Sequence, residues 1–526
     1  MVIISFVAFT LLVAIISYVA TLKTDETSSD GFFLGGRSLT AVVIAGSLLL
    51  TNLSTEQIVG LNGQSFAEGI LVMAWETLAA VAMVITAIFL LPRYLKGGIT
   101  TVPQFLERRY DTTTKAITSG LFLTGYVVVL LPIVLYSGSL AISTMFDLPG
   151  MLDISKEASI WVCVIGIGVI GSIYAIFGGL KAVAVSDTLN AVGLLVGGIM
   201  IPVFGLLEIG NGDITEGVEI IMSTNPEKFK VLGSDNSSVP FATIFTGMML
   251  VQLFYWGTNQ AIIQRALGAK NLKEGQKGLL LASFIKILGP IIVVLPGIIA
   301  FHMFGATLTN ADEAYPTLVS KVLPLSLVGF FAAVLFGAIL SSFNSALNSS
   351  VTLFGVDLYK QYINKQATEK QTVKAGKLFG VGLAILAIGI APLIANAPDG
   401  LFGYLQQVNG CYSIPILTII IVGYLTKRVP AIAAKIAIVL GATLYLVYVI
   451  LDATILKGAF PHFLHVMAIL FVVNILIMLI IGKLYPREEA YVQQYTKEVD
   501  ITPWRYTKTV GAVICVIVIA IYVYFR

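Results

Sequence analysis

Charge is what this sequence has least of. Asp, Glu, Lys and Arg supply 12% of its 526 residues, 57% are hydrophobic and the mean hydropathy is +0.92; a soluble chain averages about a quarter charged residues. A soluble globular domain is excluded, and a polytopic membrane protein is indicated. A net charge of +3 over so long a chain provides no basic surface for nucleic acid. Cysteine is scarce as well: Cys163, Cys411 and Cys515 all fall in apolar runs, which argues for packed thiols and against a disulfide framework. The three histidines, His302, His462 and His465, form no zinc ligand set, and the last two are expected at a helix end. No span interior is expected to offer an arginine that could clamp a solute carboxylate bidentately.

What is present is apolar sequence in long blocks. At roughly 20 residues per crossing, about 14 transmembrane helices are predicted, centred on about 1–21, 40–62, 69–95, 114–146, 158–177, 182–208, 239–266, 277–304, 325–359, 374–396, 399–425, 430–451, 460–483 and 507–526. Met1–Leu22 has no basic n-region and no small-residue cleavage pattern, so it reads as a retained first span. Basic residues cluster in alternate loops, at Arg93 to Lys115, Lys270 to Lys277, Lys365 to Lys377, Lys427 with Arg428, and Lys483 to Lys508. The opposite loops are acidic or neutral, and the longest carries Asp213, Glu216, Glu219, Glu227 and Asp235. The positive-inside rule then puts both termini outside the plasma (inner) membrane, as an even number of spans requires.

One stretch resists the apolar pattern. Thr51–Gln64, TNLSTEQIVGLNGQ, places amides, hydroxyls, a carboxylate and two glycines at membrane depth. Lipid cannot hydrogen-bond freed backbone, so such a stretch belongs against protein or a watery cavity; it reads as a broken helix in a binding site or as a polar seam between helices. A comparable interruption, VQLFYWGTNQAIIQR, covers Val251–Arg265. Paired broken helices point to an inverted-repeat transporter with its solute near the midplane. The expected organisation is a leading helix and cytoplasmic loop over 1–38, a first repeat over 39–208, an extracellular loop over 209–238, a second repeat over 239–425, and three C-terminal helices over 426–526.

Ionisable residues inside spans mark pathways, because an isolated charge there costs about 2.5–3.5 kcal/mol even on the lenient scale. Glu56, Glu76, Asp187 and Lys286 are the ones recognised. Glu76 and Lys286 either share a cavity and hydrogen-bond a solute, or form a packing salt bridge. Ser341 and Ser342 either offer hydroxyls to a hard cation such as sodium or bond back to their own helix. Tyr255 and Trp256 present flat aromatic faces that suit a sugar ring, or pack as core. Gln252, Asn259, Gln260, Gln406, Gln407 and Asn409 add neutral amides, a set matched to polyhydroxyl solutes. No nucleophile, metal cluster or phosphate loop accompanies the carboxylates, so an enzyme is not expected.

Over nearly its whole length the chain resembles the sodium/solute symporter family, which contains the sodium/glucose cotransporters. The resemblance is carried by Gly31–Arg37 (GFFLGGR), Ser47–Gly60 (SLLLTNLSTEQIVG), Pro92–Tyr110 (PRYLKGGITTVPQFLERRY), Tyr174–Asp187 (YAIFGGLKAVAVSD), Tyr255–Arg265 (YWGTNQAIIQR) and Phe336–Tyr362. It implies an all-α membrane protein with the LeuT-like 5+5 inverted repeat, and a sodium-coupled symporter that imports a neutral sugar such as galactose or glucose by alternating access. Inositol or sialic acid are the alternative solutes. By similarity to the family's bacterial sodium/galactose member, the sugar would be held by Asn52, Gln57, Glu76, Gln252, Tyr255, Lys286 and Gln406. Tyr255 would be the inner gate, with Leu61, Trp75 and Phe402 as the outer one. Sodium, the coupling ion and not a prosthetic group, would take the carbonyls of Leu50, Leu53 and Ala338 and the hydroxyls of Ser341 and Ser342, with Asp187 on its exit path. Trp75, Ala79 and Gln252 depart from that member's tyrosine, serine and asparagine and bear on which sugar is held.

Overall fold

The computed structural model describes residues 2–21, 29–396, 401–456 and 458–526. The loop expected after the first span (22–28) and the first two residues of the span expected over 399–425 lie outside the described residues. Among the described residues the protein is helical throughout, with one isolated bridge between Leu39 and Ala269.

The chain leads with α1 (Val2–Thr21), followed by a broken span, α2 (Ala41–Asn52) and α3 (Thr55–Glu68), bent by 57°. Next come α4 (Ile70–Gly97), α5 (Thr112–Met145), α6 (Lys156–Ala175) and α7 (Val183–Ile209), and then α8 (Ile214–Thr224) in the long connection. A second break separates α9 (Gly247–Gly257) from α10 (Gln260–Leu267). A third, which the sequence reading did not anticipate, bends α11 (Leu272–Ile287) from α12 (Gly289–Phe304) by 50°. There Pro290 sits in the first turn of the new helix and has no amide to donate backwards. The chain closes with α13 (Ala314–Val322), α14 (Leu327–Ile363), α15 (Glu369–Ile394), α16 (Phe402–Leu425), α17 (Ala431–Thr454), α18 (Phe463–Leu484) and α19 (Thr507–Tyr524).

Ten of these helices are long and apolar enough to cross a membrane, or twelve if each of the two bent pairs counts as one span. The expected fourteen are not reached on that measure. The apolar stretch of α1 is only Phe6–Val19, and α9 and α10 have only 11 and 8 residues. Backbone hydrogen bonding is helical from Lys156 to Ile209, yet Tyr174 and Ser186 reach one another and line one pocket. Twelve residues of straight helix would separate them by about 18 Å, so the chain folds back between α6 and α7.

Small residues let the broken spans approach their neighbours closely. A methyl group on Gly46 of α2 would lie 2.8 Å from the Thr188 backbone of α7, and one on Gly278 of α11 would lie 2.8 Å from Cβ of Ile44. The basic loops gather on one face. The extended segment after α18 ties them together: Arg487 donates to the Arg109 carbonyl, Gln493 to that of Arg93, and the Leu272 amide donates to the Asp500 carbonyl. Arg37, ahead of α2, pairs with Glu498 at 3.3 Å. On the opposite face the long connection closes over the end of α3. Lys228 donates to the carbonyls of Phe66 (2.9 Å) and Ala67 (2.6 Å), which satisfies the helix C-terminus, and burial holds its pKa below the usual lysine range. Gly69 ends α3 at φ 86°, and a side chain there would meet the Lys228 carbonyl at 2.3 Å.

Candidate functional site

The break in the first span builds the site. α2 stops at Asn52 and α3 restarts after Ser54, so the last carbonyls of α2 have no next-turn amide and the first amides of α3 have no preceding carbonyl. Beside this break lies a cavity with about 580 Å³ of atom-free space, of which about 40 Å³ is open to the centres of water molecules. Asn52 and Gln57 enter it from the break, Trp75 from α4, Gln252 and Tyr255 from α9, and Phe402 and Gln406 from α16. Seven of the residues named from the sequence therefore meet in one place. Asn259, which begins α10, also faces the cavity, and its side-chain oxygen accepts from Tyr126 (2.7 Å) and from the Ala261 amide (3.0 Å).

Glu76 and Lys286 lie behind that lining. Their charged atoms are 2.5 Å apart, the side chains are 0% and 1% exposed, and Gln57 donates to the other Glu76 oxygen. Gly289, at the bend between α11 and α12, leaves room for the carboxylate, since a Cβ there would stand 2.2 Å from Oε2. The pair thus touches the cavity through Gln57. Trp256 is fully buried and donates its indole N–H to Gln252 (3.2 Å), so the aromatic face on the cavity is that of Tyr255. Gln260 and Gln407 lie elsewhere: Gln260 receives the Val102 amide at 2.9 Å, and Gln407 lines a separate outer pocket.

That outer pocket, also lined by Gln64, Glu68, Asp312 and His462, shares Trp75 with the cavity. Trp75 and Phe402 meet edge to face with centroids 5.2 Å apart, and Phe402 presses on Gly60, where a Cβ would fall 2.6 Å from its own. Leu61 is fully buried in the same apolar cluster. Trp75 borders both the cavity and the outer pocket, Phe402 lines the cavity, and Leu61 lies in the apolar cluster with them.

Behind Asn52, toward α14, lies a patch of neutral oxygens. The Ser342 hydroxyl donates to the Thr51 carbonyl at 3.0 Å, across helices and not back along its own, whereas Ser350 and Thr352 bond back along α14. The Thr51 hydroxyl meets those of Ser341 (3.5 Å) and Ser345 (3.1 Å). Ala338 is fully buried one turn earlier on α14, and Leu50 and Leu53 flank Thr51 at the broken end of α2. This donor set suits a hard monovalent cation; among the described residues no His, Cys, Asp and Glu cluster could hold a metal ion. Asp187 of α7 is 1% exposed, accepts from Ser47 at 2.7 Å and is reached by the Ser341 and Thr51 hydroxyls.

No arginine lines the cavity, but one that the sequence reading did not single out lies buried near the cation patch. Arg265, near the end of α10, is fully buried and donates to Ser47 (3.2 Å), the Ala261 carbonyl and Ser345, with its charge beside Asp187. Its position at the end of an expected span concealed it. Asp357 was also missed, though it interrupts an apolar run. It is fully buried on α14 and accepts from Thr101 (2.9 and 3.0 Å) and Ser119 (3.1 Å), which ties the loop before the short helix Val102–Arg109 to α14 and α5.

The chain matches the sodium:solute symporter family over residues 32–441. It is 48% identical over 520 residues to the "uncharacterized symporter YidK" of Escherichia coli (strain K12), covering 99% of this chain and 90% of that one. It is 33% identical over 440 residues to the sodium/glucose cotransporter of Vibrio parahaemolyticus, covering 79% of each. Among solved structures, a substrate-bound, outward-open Na+-coupled sialic acid symporter superposes with a TM-score of 0.77 over 93% of this chain and 98% of that one, at 18% identity. At that identity the likeness speaks to fold alone, and the fold is that of the LeuT-like transporters.

Proposed function

Because the chain belongs to the sodium:solute symporter family, and is therefore a multi-pass membrane transporter and not an enzyme, we propose that it couples inward sodium flow to uptake of a neutral sugar such as galactose or glucose. In this reading 39–208 and 239–425 are the two halves of a 5+5 inverted repeat, 1–38 and 426–526 flank it, 209–238 is extracellular, and both termini lie outside the plasma membrane.

One observation supports it above the rest: the two binding positions share a break. Thr51, whose carbonyl and hydroxyl meet Ser342, Ser341 and Ser345, is the neighbour of Asn52, which faces the cavity. Sodium held by Ser341, Ser342 and the carbonyls of Leu50, Leu53 and Ala338 braces α2 against α14 and so fixes Asn52 and Gln57 for the sugar. Gln252, Tyr255 and Gln406 complete the sugar site from the far side, with Glu76 and Lys286 acting through Gln57. Trp75, Phe402 and Leu61 then close the outer route, Tyr255 yields inward, and sodium leaves past Asp187. Each ligand acts only through its preference for one of the two states.

The driving force is sufficient. One charge crossing about 100 mV gives about 2.3 kcal/mol, and a roughly tenfold sodium gradient adds about 1.4 kcal/mol. Together they support accumulation of several hundred-fold, on the order of 10² to 10³. The test is uptake of radiolabelled galactose into proteoliposomes under an inward sodium gradient against an equal potassium gradient. Concentrative uptake with sodium alone is expected. Sodium-driven uptake of inositol or sialic acid that galactose and glucose fail to compete would move the solute to another class.

A further inference from the structure

Most polar atoms around the cavity already have partners. Gln57 donates to Glu76. Gln252 donates to the Trp75 carbonyl at 2.9 Å and accepts from Trp256. The Tyr412 hydroxyl donates to Asn409 at 2.7 Å. Three buried atoms on lining residues do not: Oε2 of Glu56, Oδ1 of Asn52 and Nε1 of Trp75. A buried polar atom without a partner costs about 1–3 kcal/mol, more for a charged group, so these three define what a solute must supply. Two are acceptors, and one of those is a carboxylate.

Among the described residues Glu56 is the one acidic or basic side chain lining the cavity. The other buried charges nearby are answered, Glu76 by Lys286 directly and Asp187 by Arg265 through the Ser47 hydroxyl between them. Glu56 has no cation against it; the Ser54 hydroxyl and its own backbone amide reach the carboxyl in the first turn of α3, where the helix dipole favours a negative side chain, and Oε2 is left without a partner. The cavity therefore keeps one carboxyl group that no cation answers and a surplus of acceptors.

We propose that Glu56 is the specificity-determining group of this cavity: it accepts hydrogen bonds from the hydroxyls of a neutral polyhydroxyl solute and excludes solutes that carry a carboxylate. This rests on the sugar-symporter reading and narrows it. Vicinal hydroxyls supply the donors that Glu56 and Asn52 lack, whereas a solute carboxylate would bring a like charge into a low-dielectric space with no arginine on the lining to receive it.

Galactose and galacturonate make the test, because they differ in a CH2OH against a COO−. Competition by each against radiolabelled galactose is measured in proteoliposomes containing wild-type protein, Glu56→Gln or Glu56→Asp. Wild type is expected to prefer galactose by about a hundredfold or more. Glu56→Gln keeps the shape and removes the charge, and should narrow that gap at least about tenfold. Glu56→Asp keeps the charge and should preserve the gap even if both sugars compete more weakly. If Glu56→Gln transports too slowly, the same ratio is read from thermal stabilisation of the purified full-length protein by each sugar. A gap equal in wild type and Glu56→Gln overturns the inference alone. Absence of galactose uptake by wild type overturns the sugar reading and this inference with it.

Discussion

Replacing Lys286 by alanine separates a packing salt bridge from a solute-binding one. The ammonium and the Glu76 carboxylate stand 2.5 Å apart with essentially no exposure. Their gross attraction at an effective dielectric of 20 is about 7 kcal/mol, most of which offsets the desolvation of two ions. Lys286→Ala removes one ion and leaves Glu76 buried with only the Gln57 amide against it. The expected cost is about 3–5 kcal/mol, a large part of the 5–15 kcal/mol that typically holds a folded protein. Purified Lys286→Ala should lose its monodisperse peak at a markedly lower temperature, and its uptake should be lost. The double variant Glu76→Gln with Lys286→Met fills nearly the same volume without charge, so its stability should return close to wild type. Uptake in the double variant is the deciding readout. If the pair orders Gln57 for the solute, transport stays lost although stability is recovered. Wild-type transport in the double variant would reduce the pair to packing, and wild-type stability in Lys286→Ala would refute the unpaired-charge argument itself.

Ser342→Ala deletes the hydroxyl on the Thr51 carbonyl and should raise the sodium half-saturation about tenfold, as expected for one lost ligand worth about 1–1.5 kcal/mol, with little change in sugar preference; an unchanged sodium dependence of uptake would displace the cation from this patch. Gly289→Ala puts a methyl group 2.2 Å from Oε2 of Glu76, so it should lower thermal stability and uptake together, and normal values for both would mean that the bend relaxes at no cost. His462, just ahead of α18, accepts the Leu464 amide through Nδ1 at 3.4 Å, and burial, reinforced by His465, pulls its pKa from 6.5 to about 4. The folded protein therefore holds this ring neutral while the unfolded chain protonates it, so its contribution to stability is complete above about pH 6.5 and declines as the pH falls toward 4. His462→Asn, which caps without titrating, should flatten melting temperature against pH in that window, and an unaltered slope would assign the acid sensitivity to other groups.

Much of the architecture was legible because lipid makes polar residues conspicuous. The first break was plain in TNLSTEQIVGLNGQ, since amides and hydroxyls at membrane depth have few uses, and the chain breaks there at Leu53 and Ser54. The second lay within Val251–Arg265 and falls at Thr258 and Asn259. The third escaped notice because LLLASFIKILGPIIVV is apolar on both sides of its bend, and a lone Pro290 is tolerated in membrane helices often enough to pass. Arg265 was not singled out because it falls at the end of an apolar block, and only the tertiary fold buries the end of that half-helix.

What the sequence could not reveal is pairing, and pairing decides which charge faces the solute. Glu56, Glu76, Asp187 and Lys286 look alike along the chain: each is an ionisable residue that lipid would penalise. Glu76 finds its partner 210 residues away on α11, and Asp187 is joined to Arg265 of α10 through the Ser47 hydroxyl. Those contacts spend two carboxylates on holding helices together and leave Glu56, one residue before Gln57 on the same turn of α3, with an unpartnered oxygen beside the cavity. A solute-facing charge is recognised by the partner it lacks, and that becomes visible only when every other buried charge has been matched. If Glu56 were given a cationic partner on the same lining, for instance by Leu405→Lys, its carboxyl would no longer stand unanswered. The cavity's preference for galactose over galacturonate should then fall as it does in Glu56→Gln.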